Sequence, residues 1–452
     1  MKYVAVIDIG KTNAKLALVD LSSRSEIAVL TRPNTVINAA PYPHFDTDGI
    51  WAFVKSGLAQ FQADQCIDGI SVTTHGACAA FLAADGTLAA PVLDYEHTGP
   101  DETRTAYDLV RPPFSQTGCP ALPNGLNLGA QFFWQLHQDE GLRGRTAQIV
   151  TWPQYWGFRL TGQSATDLCS LGCHTDLWNP FAGSWSSLVD ALDLRQVLAP
   201  ARKPSDRLGT VLPALQAELG LGAVPVLTGI HDSNASLVPY LGDAQPFSVV
   251  STGTWVVCMA MGGEARTLDP SRDTLVNVNA LGQVVPSARF MGGREYETIR
   301  QNAPAIATQL DADRVLARRL MLLPSVVADC GPFPHHQMSW SAQDRSIAET
   351  EVALGYYLAL MTAACLRNIG ADGPTCIEGP FSVNPWYRAM LAAATGRSVV
   401  ASPSRTGTAV GAALLFDGLA REGFAPERAV PPAPGLVAYA SAWVRAVECT
   451  YA

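Results

Sequence analysis

Charged residues are scarce in this sequence, at 16% of its 452 positions, and no run of lysine or arginine occurs. The formal net charge is −9. Because nucleic acids and anionic membranes select basic surfaces, we expect neither of them as the main partner. The longest uncharged apolar run, residues 352–366, is shorter than the roughly 20 residues that a membrane-spanning helix needs. We therefore predict a buried helix there.

Paired cysteines are also missing, and we expect no secretory leader. The ten cysteines include no C-x-x-C pair and no cysteine–histidine grouping of the zinc type. Cys169 and Cys173 could share a helix face, but we do not predict a metal site there. The first nine residues have a strand pattern without the basic flank and long apolar core of a signal peptide. These features favour a reducing, cytoplasmic environment.

Length and apolar content indicate two domains. A chain of this length with 48% hydrophobic residues can bury large cores and exceeds one ordinary domain. We place the domains at residues 1–242 and 243–452.

The chain begins with the pattern of a β-hairpin, since residues 3–9 and 14–19 are apolar runs joined by a short polar turn. The turn consists of Gly10, Lys11, Thr12 and Asn13. Such a turn can offer N–H groups, a hydroxyl and an ammonium to phosphate oxygens, with Asp8 placed to hold hydrated Mg²⁺. A purely structural hairpin is the alternative.

The same pattern recurs at residues 247–258, where the turn contains Thr252, Gly253 and Thr254. Two such hairpins, one opening each half of the chain, predict two similar domains that face each other across a cleft. The phosphates of a nucleotide could then be bound from both sides.

A corner near the middle of the chain carries the strongest candidate for catalysis. Residues 224–228 predict a buried strand and residues 235–241 a short helix, with His231 and Asp232 between them. A carboxylate at such a corner suits a general base. An aspartate that only caps the helix is the alternative.

Two further polar clusters suggest a sugar site. His75 and Gly76 follow an apolar strand, and Asp94 and Glu96 follow another apolar stretch. Imidazole and carboxylate groups suit a polyol, whose hydroxyls donate and accept hydrogen bonds. A structural histidine and an exposed loop are the alternatives.

Small residues near the C-terminus suggest an adenine site. A predicted strand ends at Gly379 and leads to Asn384, and Gly407 opens a helix rich in glycine and alanine. Small side chains leave a flat slot for an adenine ring. Close helix packing is the alternative.

Together these motifs resemble the FGGY carbohydrate kinases of the sugar-kinase, actin and Hsp70 superfamily. The matching stretches are DIGKTNAKLAL, GIHDSNAS, STGTW and GTAVGAALL, in that order along the chain. The resemblance implies an α/β fold with two ribonuclease-H-like domains facing across a cleft. It implies sugar binding and catalysis for residues 1–242 and nucleotide binding for residues 243–452. It also implies ATP and Mg²⁺ as cofactors and a small sugar as substrate.

The resemblance assigns roles residue by residue. Asp232 matches the catalytic base, and Asp8 with Asp232 matches the Mg²⁺ ligands. The positions matching nucleotide contacts are Gly10, Lys11, Thr12, Asn13, Thr252, Gly253, Thr254, Gly379, Asn384 and Gly407. Those matching sugar contacts are His75, Gly76, Asp94, Glu96, His231 and Asp232.

The expected reaction is phosphorylation of a primary hydroxyl of a ketose. The HDSNAS and STGTW stretches look most like rhamnulose and fuculose kinases. The corner Thr73-Thr74-His75-Gly76 is closer to pentulose kinases, so a xylulose, ribulose or polyol kinase is the alternative within the family. A non-catalytic sensor and an actin-like or chaperone ATPase are alternatives of other classes. A homodimer is one assembly compatible with the interpretation as a sugar kinase.

Overall fold

The computed structural model describes residues 2–242, 245–300, 306–402, 407–418 and 433–449. These residues form two compact units. The first unit comprises residues 2–242, 276–284 and 407–418, and the second comprises the other described residues. The assignment of catalysis to residues 1–242 and of nucleotide binding to residues 243–452 remains a prediction.

The first unit is built on a mixed sheet of seven strands. They are β1 (Tyr3–Ile9), β2 (Asn13–Asp20), β3 (Ser25–Pro33), β4 (Gly69–Thr74), β5 (Arg207–Thr210), β6 (Pro225–Leu227) and β7 (Ile230–His231). The order is β5-β6-β4-β1-β2-β3, and β7 also pairs with β4. Strands β1, β2 and β3 are antiparallel, whereas β4 runs parallel to β1. The predicted hairpin is therefore confirmed, with Asp8 opposite Lys15.

Helices α1 (Thr47–Asp64), α2 (Trp152–Thr161) and α3 (Pro213–Leu219) contribute to the core against this sheet. The Asp46 side chain caps α1 by accepting a hydrogen bond from the Gly49 N–H. The sequence pattern of residues 145–162 predicts one helix with Gly162 at its C-terminal cap, and this prediction is wrong in its first part. Residues Gln148–Thr151 instead form a strand paired with Ala79–Leu82. The helix ends at Gly162 as predicted, because glycine readily adopts the left-handed conformation found there.

Short elements complete the first unit. The helices are Gly99–Glu102, Arg104–Asp108, Phe114–Thr117, Leu128–Gln138, Leu142–Arg145, Leu168–Leu171, Ser187–Ala191, α4 (Asp232–Ala235) and α9 (Thr408–Leu414), with 3₁₀ turns at Val238–Tyr240 and Leu415–Asp417. The paired two-residue strands are Val36–Ile37 with His44–Phe45, Thr166–Asp167 with Ala201–Arg202, and Trp178–Asn179 with Ser184–Trp185.

The second unit repeats the plan of the first sheet. Its strands are β8 (Phe247–Thr252), β9 (Val256–Met261), β10 (Val284–Phe290), β11 (Thr375–Glu378) and β12 (Val399–Ala401). Strands β8, β9 and β10 are antiparallel, while β11 runs parallel to β8 and β12 parallel to β11. The second predicted hairpin is thus confirmed. A meander of three antiparallel strands followed by parallel strands is the arrangement expected of ribonuclease-H-like domains.

Helices of the second unit are α5 (Gly292–Arg300), α6 (Gln309–Arg318), α7 (Ile347–Asn368), α8 (Pro385–Thr395) and α10 (Pro434–Cys449). Strands Leu322–Leu323 and Ser339–Trp340 and 3₁₀ turns Pro270–Arg272 and Pro380–Val383 accompany them. Strand Thr274–Val278 has residues 274–275 in this unit and residues 276–278 in the first. The predicted buried helix is α7, whose central residues are buried. Among the described residues, no helix is long and apolar enough to cross a membrane.

Helix α9 packs against α4 within the first unit, at a point where only glycine fits. A Cβ atom added at Gly411 would lie 1.9 Å from the carbonyl oxygen of Ala235 in α4. The obstacle is backbone, so a flexible side chain cannot move away to relieve it. The close packing considered for this glycine-rich segment is therefore present.

We predict that Gly411→Ala destabilises the protein by ~1–3 kcal/mol, because the added methyl group forces α9 away from α4. Thermal unfolding measured by circular dichroism checks this. Gly144→Ala is the matched control, since no atom lies within 4 Å of a Cβ at that exposed position. Equal melting temperatures for the two variants would contradict the packing described here.

Candidate active site

The first sheet brings three polar corners to one edge. In the register of β1 and β4, Asp8 lies opposite Thr73, and His231 of β7 lies opposite Thr74. Strands β1, β4 and β7 run in the same direction, so their carboxyl ends meet at one edge of the sheet. The side chains of Asp8, His75 and Asp232 are therefore neighbours, although the chain separates them widely.

Asp8 is a mostly buried carboxylate with two partners. The hydroxyl of Thr408 donates a hydrogen bond of 2.6 Å to Oδ2, and the ammonium of Lys15 lies 3.3 Å from the same oxygen. Lys15 also pairs with Glu26 at 3.0 Å. Burial raises the pKa of Asp8 and the nearby Asp232 raises it further, although Thr408 and Lys15 act in the opposite direction.

Asp232 occupies the strand-to-helix corner that the sequence predicts. It is the first residue of α4, and its Oδ1 accepts a 2.6 Å hydrogen bond from the N–H of Ser233. The interpretation of Asp232 as a helix cap is wrong, because His231 holds the capping position. The predicted helix over residues 235–241 is also wrong, since α4 ends at Ala235 and a 3₁₀ turn follows at Val238–Tyr240. Burial raises the pKa of Asp232.

His231 holds Asp232 from the other side. Its Nδ1 lies 3.2 Å from Nδ2 of Asn234, and its Nε2 lies 3.3 Å from Oδ1 of Asp232. The Asn234 amide nitrogen can only donate, so Nδ1 accepts and the proton is on Nε2, the ring nitrogen nearer the carboxylate. Burial lowers the pKa of His231 to about 4, so the imidazole is neutral near pH 7.

His75 offers an acceptor toward the same corner. Its Nδ1 lies 2.7 Å from the carbonyl oxygen of Gly76, which can only accept, so the proton is on Nδ1. The buried Nε2 has no partner among the described residues. Burial lowers the pKa of His75 to about 4. A neutral imidazole with an unpartnered buried nitrogen is suited to accept a hydrogen bond from a hydroxyl group.

Gly76 makes room for two further imidazoles. A Cβ atom at this position would lie 2.9 Å from Nε2 of His231 and 3.5 Å from Cε1 of His174. The rings of His174 and His231 are nearly perpendicular, with centroids 6.4 Å apart. His174 was not among the predicted site residues. The signal available was its polar setting in Cys173-His174-Thr175-Asp176, which points to no particular chemistry.

Aromatic rings form one wall around His75. The rings of Phe45 and Tyr95 each lie 5.3 Å from that of His75, and Trp152 lies 6.4 Å from it. The indole N–H of Trp152 is buried without a partner among the described residues. Neither Phe45 nor Trp152 was predicted as part of this wall, because Trp152 follows an apolar run that looks like ordinary core and Phe45 lies alone between a histidine and an aspartate.

The side chain of Lys11 points to the predicted sugar residues. Its ammonium is bonded to Asp94 and lies 3.1 Å from Glu96, and it is over the rings of Phe45 and Tyr95 at 5.2 and 5.0 Å. Asp94 is buried, so the exposed-loop alternative is wrong for this residue. A phosphate-binding role for the Lys11 side chain remains a prediction.

The backbone of the first turn has unused donors. The Gly10 N–H donates to the carbonyl of Asn13 at 2.9 Å, which closes the turn. The N–H groups of Lys11 and Thr12 donate to no atom in the described part of the chain. Thr12 and Asn13 are exposed. These features suit a loop that binds phosphate through its backbone.

The second hairpin has a similarly exposed turn. The Gly253 N–H donates to Trp255 at 3.0 Å, and both Gly253 and Thr254 are exposed. Two other glycines pack closely on this turn. A Cβ atom at Gly293 would lie 2.2 Å from the Gly253 oxygen, and one at Gly379 would lie 2.0 Å from the Thr252 oxygen.

The remaining predicted nucleotide residues have structural contacts as well. Asn384 caps α8, since its side-chain oxygen accepts from Trp386 and Tyr387 at 3.0 and 3.1 Å. Gly407 precedes α9 in the first unit, and a Cβ atom there would lie 3.9 Å from both Lys15 and Glu26. Contact of Asn384 and Gly407 with a nucleotide remains a prediction.

The described residues contain no group of three or more histidine, cysteine, aspartate or glutamate side chains able to hold a metal ion. Mg²⁺ needs fewer protein ligands when phosphate is present, because phosphate oxygens, waters and one or two carboxylates complete its coordination shell. Asp8 and Asp232 supply such a carboxylate pair. The residues present therefore fit Mg²⁺ bound together with phosphate.

Comparison with known proteins agrees with the fold and the motifs. A crystal structure of a carbohydrate kinase from Novosphingobium aromaticivorans aligns with a TM-score of 0.92 and 33% identity, covering 100% of this chain and 99% of that one. The predicted α/β fold class is thereby confirmed.

Curated relatives match over part of their length. L-fuculokinase from Salmonella typhi is 26% identical over 283 residues, which is 58% of this chain and 57% of the relative. Rhamnulokinase from Bacillus subtilis (strain 168) is 29% identical over 121 residues, 26% of this chain and 25% of the relative. The chain thus spans little more than half the length of L-fuculokinase and a quarter of the length of rhamnulokinase.

Two family models cover most of the chain. Residues 3–239 match the FGGY family of carbohydrate kinases, N-terminal domain, and residues 244–425 match carbohydrate kinase FGGY, C-terminal domain. The resemblance inferred from the motifs is confirmed, and this chain belongs to the FGGY family of carbohydrate kinases.

Proposed function

We propose that this protein transfers the γ-phosphate of ATP to a primary hydroxyl of an uncharged ketose of the L-rhamnulose or L-fuculose type. The observation that carries the proposal is the corner at Asp232, a carboxylate with a raised pKa beside neutral His231 and His75. A base near the attacking oxygen and in-line positioning are what phosphoryl transfer requires.

Each side chain at the corner has a distinct task. Asp232 accepts the proton of the attacking hydroxyl through the oxygen that is not bonded to Ser233. His231 presents its Nε2 3.3 Å from Oδ1, where the polarity of the imidazole N–H favours the ionised carboxylate. His75 accepts a hydrogen bond from a sugar hydroxyl at Nε2, which satisfies a buried polar atom.

Mg²⁺-ATP would be held by Asp8, Asp232 and the turn backbones. When bound, the metal neutralises phosphate charge that develops during transfer. The N–H groups of Lys11 and Thr12 provide donors to phosphate oxygens, and Gly253 and Thr254 present a second exposed turn. Thr408 and Lys15 keep Asp8 in place.

The charge of the site supports an uncharged substrate. Five acidic side chains take part in the contacts described above, namely Asp8, Glu26, Asp94, Glu96 and Asp232. Among the described residues in these contacts, the positive charges are those of Lys11 and Lys15, since His75 and His231 are neutral. A carboxylate-bearing sugar would meet an excess of negative charge, whereas hydroxyl groups can donate to the carboxylates.

Two alternatives are weaker. The Thr73-Thr74-His75-Gly76 corner favours a pentulose, which the same polar groups could bind. A non-catalytic sensor would have no need for two carboxylates at one sheet edge, and both Asp8 and Asp232 are present. L-fuculokinase and rhamnulokinase among the relatives support the six-carbon ketoses.

We predict that Asp232→Asn lowers kcat by about 10²- to 10⁴-fold, the usual cost of losing a general base. Asparagine keeps the shape and the hydrogen bond from Ser233 but accepts protons poorly. Coupled ADP formation with L-rhamnulose and L-fuculose measures the effect. Asp190→Asn, at an exposed carboxylate paired with Arg195, is the control. Full activity of Asp232→Asn would remove Asp232 from the chemistry.

The pH profile should identify the base as a carboxylate. Asp232 must be deprotonated to act, and its pKa lies above the ordinary value of about 3.9. We therefore expect kcat/KM to fall as the pH is lowered through that raised pKa. The buried histidines, with pKa values of about 4, should add no step near pH 6.5. A step near pH 6.5 that disappears in His75→Gln or His231→Gln would contradict this.

Asp8→Asn should increase the Mg²⁺ concentration needed for half-maximal activity by about tenfold or more, because losing ~1.4 kcal/mol of charge stabilisation is enough for that change. Activity titrated with Mg²⁺ at fixed ATP measures it. Asp85→Asn, in an exposed turn, is the control. An unchanged Mg²⁺ requirement would mean that the metal is held without Asp8.

A further inference from the structure

Lys11 belongs to the first turn by sequence, but its side chain is occupied elsewhere. The ammonium is bonded to Asp94, which is 83 positions away, and lies 3.1 Å from Glu96. The Lys11 and Asp94 side chains are 19% and 9% exposed, so this contact is largely shielded from water. Separating the ammonium from Asp94 in such a setting is costly, whereas Glu96 is 63% exposed and holds the ammonium more weakly.

Aromatic rings fix the direction of the Lys11 side chain. The ammonium lies over Phe45 at 5.2 Å and over Tyr95 at 5.0 Å, within the range of cation–π attraction. The same two rings contact the imidazole of His75. Lys11 and His75 therefore contact the same two aromatic rings, and Asp94 is bonded to Lys11. We use the name Lys11 cluster for the group formed by Lys11, His75, Asp94, Glu96, Phe45 and Tyr95.

We propose that Lys11 is a specificity-determining residue for the sugar and that phosphate binding by the first turn uses its backbone alone. An ammonium group has three N–H donors; one donates to Asp94, and Glu96 lies 3.1 Å away as a second counter-charge. The third donor, which neither carboxylate occupies, donates to a sugar hydroxyl. The proposal deepens the proposed function and rests on it.

The cluster also explains how one turn can serve two ligands. The N–H groups of Lys11 and Thr12 are free of partners within the described residues, while the Lys11 side chain leaves the turn toward Asp94. The backbone N–H of Lys11 is therefore available to phosphate, whereas its side-chain ammonium is available to the sugar. Replacing the side chain should leave the phosphate donors intact.

The test compares Lys11→Met with wild type in two titrations, one of the ketose and one of ATP. Methionine keeps the length and apolar stem but removes all three donors and the charge. We expect the KM for the ketose to rise by about 10- to 100-fold, as for a lost buried hydrogen bond to a sugar hydroxyl. The KM for ATP should change by less than about twofold if the phosphate donors are backbone groups.

Lys11→Arg is the second variant, because it preserves the positive charge that Asp94 and Glu96 require and so protects folding. The longer, planar guanidinium cannot keep the same third donor. We expect it to change the ranking of L-rhamnulose, L-fuculose, xylulose and ribulose while keeping the KM for ATP. Lys55→Met, which removes a surface pair with Glu218, is the matched control and should alter neither titration.

Ligand-induced thermal shifts give a reading that does not depend on turnover. The ketose should stabilise wild type but not Lys11→Met, whereas ATP with Mg²⁺ should stabilise both equally. A raised KM for ATP or a lost ATP shift in both Lys11 variants, with the ketose titration and ranking unchanged, would overturn the proposal and assign the ammonium to phosphate.

Failure of the proposed function would look different. If wild type phosphorylated no ketose and a sugar acid or glycerol were the substrate, the proposed function would fall before any Lys11 variant was compared. If wild type used a ketose and the Lys11 variants matched it in KM and ranking, only the Lys11 proposal would fall.

Discussion

The first unit depends on keeping two carboxylates, Asp8 and Asp232, at one edge of a sheet and away from most of the solvent. Burial raises the pKa of both groups, and Asp232 adds to the shift of Asp8. Neighbouring like charges in a desolvated setting are unfavourable unless hydrogen bonds and counter-charges hold them. Much of the surrounding structure consists of such partners.

These partners come from distant parts of the chain. Thr408 lies 400 positions from the aspartate to which it donates, and it begins the helix that packs on α4 through Gly411. The segment 407–418 therefore joins the first unit rather than the second. This segment supplies the Thr408 hydroxyl that donates to Asp8. It also supplies the close backbone contact at Gly411 that fixes α4, the helix that begins with Asp232.

The sequence allowed prediction of the features that local patterns determine. Both hairpins follow from alternating apolar runs around short polar turns, and the corner at Asp232 follows from a strand that ends in small and polar residues. The strand at residues 148–151 was hidden, because its apolar character continues into helix α2 without a break. A pairing with residues 79–82, far away in sequence, decides its conformation, and periodicity carries no information about such a partner.

Side-chain contacts of the site were predictable in type but not in arrangement. His75, Asp94 and Asp232 could be singled out because polar residues follow apolar strands. His174, Phe45 and Trp152 could not, since only the folded chain brings them to Gly76 and His75. Lys11 is the clearest case, because its place in a glycine-containing turn suggests phosphate and only the fold shows Asp94 beside it.

The two hairpins share a backbone plan and differ in what their turns carry. Each has a turn closed by one backbone hydrogen bond, Gly10 to Asn13 in the first and Gly253 to Trp255 in the second. The second turn consists of Gly253, Thr254 and the exposed Trp255, and glycines pack directly against it. The first carries a long cationic side chain that leaves the turn and ends among acidic and aromatic groups. A repeated backbone turn can therefore bind phosphate in both units, while the Lys11 side chain allows the first turn to contact the sugar as well.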